Sequence, residues 1–378
     1  MLIKCDRILT ENGFLDGYLK TEGFNIKEIL AKEAVDEVPD VDYSNNIIIP
    51  GLIDIHLHGY RGRINPALGF DLPEFRLFLN DLACEGTTAC LPSIEPESYH
   101  IIRDYRQHAN EAVFLGCNLE AYFSCDQYKS YRNPYGLARE LSLENVRRLL
   151  NDSNQTLRYV MIAPELPHAQ SVIRFLKEQG VRVAIGHTTM SAQDFIAFQN
   201  TVQADSLTHW GNNMGKFHQR DVGVIGAGLL DDRLQAELIT DFVHLSKEMV
   251  EVALRIKSIQ RCILISDSVF LSGLPSQSVH FDENHSLTIT SDNKILDQDG
   301  NIQGCYHTLF QNLIILVKSG LVTLQEAVIA ASMNPAKFLK ADHVMGSIKE
   351  GKYANFLVIN HELELLKSYV YGNPVVRK

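Results

Sequence analysis

Five strand-like apolar runs in this sequence end in residues that bind metal ions or carry protons. NNIIIPGLIDIHLHG ends in His56-Leu57-His58, VFLGCNLE in Glu120, VRVAIGH in His187, ADSLTHW in His209 and RCILISDS in Asp267. Side chains two residues apart on a strand share a face, so His56 and His58 can offer two imidazoles to one divalent ion. Neutral His187 and His209 with anionic Glu120 make a His₂Glu donor set, which zinc hydrolases use and which leaves a position for water. Asp267 beside such a site can take a proton from water and pass it on. Plainer readings exist: a polar pair at a strand end, a glutamate paired with an arginine, an aspartate capping a following helix. The number of ligand-type residues at equivalent strand ends is what favours chemistry. Glu165, which ends RYVMIAPE, has no role that its setting defines. His100, His108, His168, His280, His285, His307, His343 and His361 lack such a setting and are read as surface or structural.

Bringing these residues to one rim requires strands whose ends converge. Eight strand-like runs occur, the five above with GTTACLPSI, RYVMIAPE and QAELITD. Between them lie amphipathic segments with apolar residues at three- and four-residue steps, such as SAQDFIAFQNTV and SKEMVEVALRIKS. HAQSVIRFLKEQG stops on Gly180, a good helix terminator. Alternating strand and helix predicts parallel strands. Eight such units predict an α/β fold with a closed (β/α)₈ TIM-like barrel over residues 50–344, its active site at the C-terminal strand ends. A doubly wound open sheet is the alternative, but neither GxGxxG nor GxxxxGK[ST] occurs. Residues 1–49 and 345–378 hold short strand-like pieces that cannot bury a core alone. They predict one small β-sandwich domain built from both termini.

Lys plus Arg number 35 against 46 Asp plus Glu, a formal net charge of −11. An acidic chain argues against a broad nucleic-acid or anionic-membrane surface, while leaving room for a local anion pocket. No run approaches the ~18 apolar residues of a membrane span. MLIKCDRILTENG has no signal-peptide core, so a cytoplasmic protein is expected. The seven cysteines are odd in number, without a CxxC pair, and read as buried small hydrophobes.

On these residues the chain resembles the amidohydrolase superfamily, and within it the N-acetylglucosamine-6-phosphate deacetylases, nearly end to end. The resemblance is carried by PGLIDIHLHG, NLE (118–120), APE (163–165), AIGHTTMSAQDF, THWGNNMGKFHQRDVGVIGAGL, ELITDFVHL, ILISDSVFLSGLP, TLQEAVIAASMNPAKFL and GSIKEGKYANFLVI. It implies a metal-bearing barrel with a terminal β-sandwich. The implied reaction removes the acetyl group of an amino-sugar phosphate, N-acetylglucosamine 6-phosphate first, giving glucosamine 6-phosphate and acetate. Glu120, His187 and His209 match the main metal ligands. His56 and His58 match a second site that some members have, so one or two ions per subunit are implied. Zinc is the first choice, with iron, manganese and cobalt also suited to such ligands. The fourth strand lacks the lysine that other subtypes carbamylate. Asp267 matches the catalytic acid/base, and His244 a residue that holds the sugar and polarises the amide. Asn212 and Asn213 lie where the family contacts phosphate. Arg220 matches an arginine that reaches the phosphate from the neighbouring subunit, which implies a homodimer.

Around the pocket the sequence departs from the family. His-Leu-Glu-Gly-Pro-Phe becomes Asn118-Leu119-Glu120-Ala121-Tyr122-Phe123, and Lys-Gly-Ala-His becomes Lys129-Ser130-Tyr131-Arg132. Arg132 thus takes the place of a substrate-contacting histidine. Asn-Ala-Met-Pro-Pro becomes Asn212-Asn213-Met214-Gly215-Lys216, and Gly-Ser-Thr becomes Gly304-Cys305-Tyr306. The reaction class is kept and the substrate is left open. Another N-acyl sugar such as N-acetylgalactosamine 6-phosphate, a cyclic amide, or non-catalytic binding of a sugar phosphate are the alternatives.

Overall fold

Strand and helix alternate along the middle of the chain as its apolar pattern requires. The structure, a computed structural model, describes residues 1–64, 69–128, 140–280 and 285–378. The barrel wall is made in chain order by Leu52–Asp54, Thr87–Cys90, an interrupted third strand (Val113–Phe114 and Cys117–Phe123), Leu157–Ile162, Arg182–Ile185, Ser206–Leu207, Gln235–Leu238 and Cys262–Leu264. Every pairing between neighbours in this wall is parallel. A bridge from Ser93 to Asn118 joins the second strand to the third. The eighth strand closes on the first beyond its regular residues: Asp267 N donates to His56 O at 2.9 Å, and His58 N to Ser268 O at 2.6 Å. The barrel is therefore sealed by the backbone of residues that also carry site side chains.

A helix follows each strand among the described residues, and the local sequence sets where most of them start. Asp71, Ser142, Ser191 and Ser246 cap their helices through side-chain oxygens, and Thr308 forms a full capping box with Gln311. The helix Ala169–Glu178 ends before Gly180, whose φ of 78° suits glycine. No helix among the described residues is long and apolar enough to cross a membrane. All seven cysteines are free, six of them buried.

The chain ends build one sheet. Ile47–Pro50 lies parallel to Leu2–Thr10 and antiparallel to Phe356–Ile359, so N- and C-terminal strands interleave in an eight-stranded sheet. Alternation along its central strands splits the apolar side chains. Ile48, Phe356 and Val358 fill the sheet's own core, whereas Ile47, Ile49, Leu357 and Ile359 pack on the barrel. One element has no counterpart in the sequence reading. Ser278–His280, Ser286–Ile289 and Ile295–Asp297 form a small antiparallel sheet after the eighth strand, resting on Phe270, Leu271, Ile289 and Ile295.

Candidate metal centre and active site

The backbone is left-handed at four positions in or next to the site residues. Ala121, His187, His209 and Asp267 have φ of 56°, 46°, 26° and 52°, a left-handed conformation that costs a non-glycine residue energy. Such strain persists where surrounding contacts hold it, and it concentrates at functional sites. No helix starts at Asp267, so the capping alternative for it does not apply.

The strand ends bring two groups of donors together around Glu120. Its Oε1 lies 2.8 Å from His187 Nε2 and 3.1 Å from His209 Nε2, and the two Nε2 atoms are 3.1 Å apart. Its Oε2 faces the other group, 3.9 Å from His58 Nε2. There His56 Nε2 and His58 Nε2 are 3.3 Å apart, and Asp267 Oδ1 lies 3.5 and 3.3 Å from them. Edges near 3 Å are close to the ~3.3 Å edge of a tetrahedron with ~2 Å metal–ligand bonds.

The histidines are aimed by oxygens on their far sides. Ser124 Oγ donates its one proton to Ala121 O, so at 2.8 Å from His187 Nδ1 it accepts. His187 is thereby Nδ1–H, and its Nε2 lone pair faces Glu120. His56 Nδ1 donates to Glu237 Oε2 at 2.9 Å, and His244 Nδ1 to Asp241 Oδ2 at 2.7 Å. For His187 and His56, oxygens that hold Nδ1–H and leave Nε2 bare are the usual support of metal-binding histidines.

The electrostatics also call for a cation. Burial opposes charge on Glu120, yet His187 and His209 hold its carboxyl well below the usual range. Asp267 is opposed by burial in the same way and held down to about 2 by His56 and His58. Burial disfavours a charged His56, but Glu237 and Asp267 outweigh it and push the ring up to about 10. Two buried carboxylates held ionised among imidazoles make a site that a divalent ion can occupy. The donor set, its spacing and its supports fit a metal ion.

The amidohydrolase family profile matches residues 47–376. The chain belongs to the amidohydrolase family. This amidohydrolase is therefore a hydrolase of a metal-dependent family, and its clustered histidines and carboxylates include groups able to hold an ion. It is 30% identical over 347 residues to an N-acetylglucosamine-6-phosphate deacetylase of Lysinibacillus sphaericus, covering 89% of this chain and 87% of that one. It is also 30% identical over 387 residues to an N-acetylgalactosamine-6-phosphate deacetylase of Escherichia coli O157:H7, covering 98% of each. A mutant N-acetyl-D-glucosamine-6-phosphate deacetylase from Mycobacterium smegmatis, solved with N-acetyl-D-glucosamine-6-phosphate, superposes with a TM-score of 0.87 at 23% identity. That alignment covers 100% of this chain and 99% of that one.

The other expected site residues fall differently. His244 stands within electrostatic reach of Asp267, and its ring is raised by Asp241 against the opposing effect of burial. Asn213 Nδ2 lies 3.3 Å from His187 Nε2, beside the donor cluster, and Asn212 Nδ2 donates to His209 O at 3.2 Å. Arg220 is exposed on the same loop, its backbone N donating to His218 Nδ1. Arg132 lies outside the described residues. Glu165, without a role in the sequence reading, accepts from Thr188 Oγ1 at 2.6 Å and Thr189 N at 2.9 Å, pinning the turn that follows His187.

Ser124, Glu237 and Asp241 support the histidines and were not singled out by the sequence. Glu237 carried a signal, a carboxylate inside the apolar run QAELITD. Ser124 carried none, since its partner is 63 residues away. Asp241, His244 and Cys305 form a further group of ligand-type side chains. There burial pushes the Cys305 thiol far up, so it stays protonated beside Asp241.

Proposed function

We propose that this amidohydrolase hydrolyses the N-acetyl group of N-acetylglucosamine 6-phosphate, releasing acetate and glucosamine 6-phosphate. The observation that carries the reading is the convergence of His187, His209 and His58 on the two oxygens of Glu120, with Asp267 beside His58. The named relatives supply the substrate class.

Glu120, His187 and His209 would hold a divalent ion, zinc first, and His56 and His58 a second. A bound divalent ion supplies Lewis acidity for the amide carbonyl and a lowered pKa for water. Asp267, ionised at neutral pH, takes a proton as water adds to the carbonyl carbon. It returns that proton to the amide nitrogen as the C–N bond breaks, so the sugar leaves as a neutral amine. His244, held by Asp241, donates from Nε2 to the carbonyl oxygen as charge develops there. Asn212, Asn213 and Arg132 would contact the sugar phosphate. Arg220 would reach the phosphate in a second copy of the chain, making a homodimer.

The E. coli relative over 98% of the chain favours a second reading, the galacto epimer of the same substrate. Acetate release from both 6-phosphates and from unphosphorylated N-acetylglucosamine tests the proposal, with metal content measured on the same sample. Rapid release that requires both phosphate and metal is expected. A fully metal-loaded protein that leaves both phosphates intact overturns it.

A further inference from the structure

The seventh barrel strand, Gln235–Leu238, carries a fully buried carboxylate in an apolar wall. A carboxylate is tolerated inside a protein only with a complete set of donors. Glu237 has four. Its Oε2 accepts from His56 Nδ1 at 2.9 Å, Thr208 Oγ1 at 3.0 Å and the backbone N–H of His209 at 3.0 Å. Its Oε1 accepts from the Tyr159 hydroxyl at 2.5 Å. These donors come from the first, fourth and sixth barrel strands and their ends. The first carries both histidines of one donor group around Glu120, and the sixth carries one histidine of the other.

We propose that Glu237 is a positioning residue shared by the two donor groups. It keeps a proton on His56 Nδ1, so that Nε2 is the nitrogen offered to an ion. It also holds the backbone of His209 in the left-handed turn that aims Nε2 at Glu120. The proposal rests on the metal reading above. Glu237 touches neither the candidate donor atoms nor any group assigned to substrate, so it acts only through the histidines. The carboxylate is the right group for this, because it only accepts. An amide of the same shape can donate to His56 Nδ1 as readily as accept from it, and so it releases the choice of tautomer. Thr208 reinforces the arrangement, since its hydroxyl donates to Glu237 Oε2 and leaves its lone pairs to His56 Nδ1, 3.1 Å away.

The alternative is that Glu237 merely completes a buried hydrogen-bond network with Tyr159 and Ser206, whose hydroxyls are 2.6 Å apart. Two variants separate the readings. Glu237→Gln disturbs the contacts to the histidines without opening a cavity. Tyr159→Phe removes a donor from the same carboxylate without touching either histidine. Metal-stripped proteins would be titrated with zinc against a chromophoric chelator. The ion held by His56 is expected to lose about 10- to 100-fold in affinity in Glu237→Gln, the usual effect of losing such a support. Tyr159→Phe should stay within about threefold of the unmutated protein. On a His56→Ala background, Glu237→Gln should add little further loss at that ion. Equal affinities for Glu237→Gln and the unmutated protein overturn the proposal, as does equal weakening in both variants. An unmutated protein that binds no zinc overturns the metal reading itself, and the proposal with it. A measurement without variants stands beside these: in the zinc-loaded protein His56 should show a slowly exchanging ring proton on Nδ1. A ring proton on Nε2 instead overturns the proposal.

Discussion

Asp241 holds His244 at two points and the turn before it at a third: Oδ2 accepts from His244 Nδ1 at 2.7 Å, while Oδ1 accepts the backbone N–H groups of His244 and Val243 at 3.0 and 2.9 Å. Burial opposes the charge on Asp241, but these donors, led by the His244 ring, hold it down to about 2. In return Asp241 keeps the imidazole protonated to higher pH than a free histidine. Asp241→Asn keeps the shape and removes the charge. We expect kcat/KM for acetate release to fall by about 10²-fold, the low end for a group that assists proton transfer. The sign of the pH effect follows from the raised ring. Activity that needs protonated His244 is lost as pH rises through its pKa, so in the Asn variant this alkaline limb should move to lower pH. A pH–rate profile with an unmoved limb would exclude His244 as the donor.

Ser124 is a smaller lever on the same kind of contact. Its hydroxyl accepts from His187 Nδ1 and donates to Ala121 O, so it fixes both a ring and the strained residue after Glu120. Ser124→Ala should weaken the ion held by His187 by about 10- to 100-fold. Global stability without metal should fall by only about 1 kcal/mol, the worth of an ordinary hydrogen bond. Competition with a chelator and urea unfolding in excess chelator separate the two effects. Unchanged metal affinity would mean that His187 is held well enough by its backbone turn.

Gly186 shows how closely the walls beneath the site approach each other. A Cβ at this position would lie 2.1 Å from Thr208 Cγ2, and Thr208 is the residue before His209 and a donor to Glu237. Gly186→Ala must therefore move Thr208, or the strand bearing His187. Overpacking of this kind costs about 1–3 kcal/mol. The loss of activity at saturating metal should exceed what an equally destabilising substitution far from the site produces. Full activity at lowered stability would show that the two strands can part without disturbing His187 and His209.

The barrel and its rim were legible because both follow from local pattern. Eight apolar runs separated by amphipathic stretches define eight parallel strands, and the C-terminal end of a strand can be read from where its apolar run stops. His56, His58, Glu120, His187, His209 and Asp267 stand at those stops. What supports them was not legible, because Ser124, Glu237 and Asp241 act across turns or between strands far apart in sequence. The antiparallel sheet at Ser278–Asp297 was missed for another reason. Its strands are three or four residues long and mostly half-exposed, so they show no apolar run. The proposed phosphate side, around Asn212 and Asn213, lies in a loop, and loop conformation is not encoded in a periodicity.

Lys257 offers a test far from the chemistry. It ends the helix Lys247–Lys257, is fully buried, and donates to Gly228 O at 2.9 Å, Leu229 O at 3.4 Å and Asp231 O. These carbonyls lie at the C-terminal end of the helix Gly223–Leu230 and its cap, where the Asp231 N–H also reaches Gly228 O. Burial pushes the lysine down to about 8, against the opposing pull of Asp231. An unfolded lysine titrates near 10.4. Between about pH 8 and 10.4 the unfolded chain binds more protons at this residue than the folded one, so its contribution to stability rises with pH. Below about pH 8 it is charged in both states and the cost of burying it is fully present. Lys257→Met removes the titration while keeping most of the volume. Urea unfolding of both proteins from pH 7 to 10 should show the native lysine gaining on methionine across that window, with acetate release unchanged. A stability difference that stays flat with pH would mean the carbonyls hold the ammonium charged throughout, and the lysine would then be a fixed cationic cap on that helix.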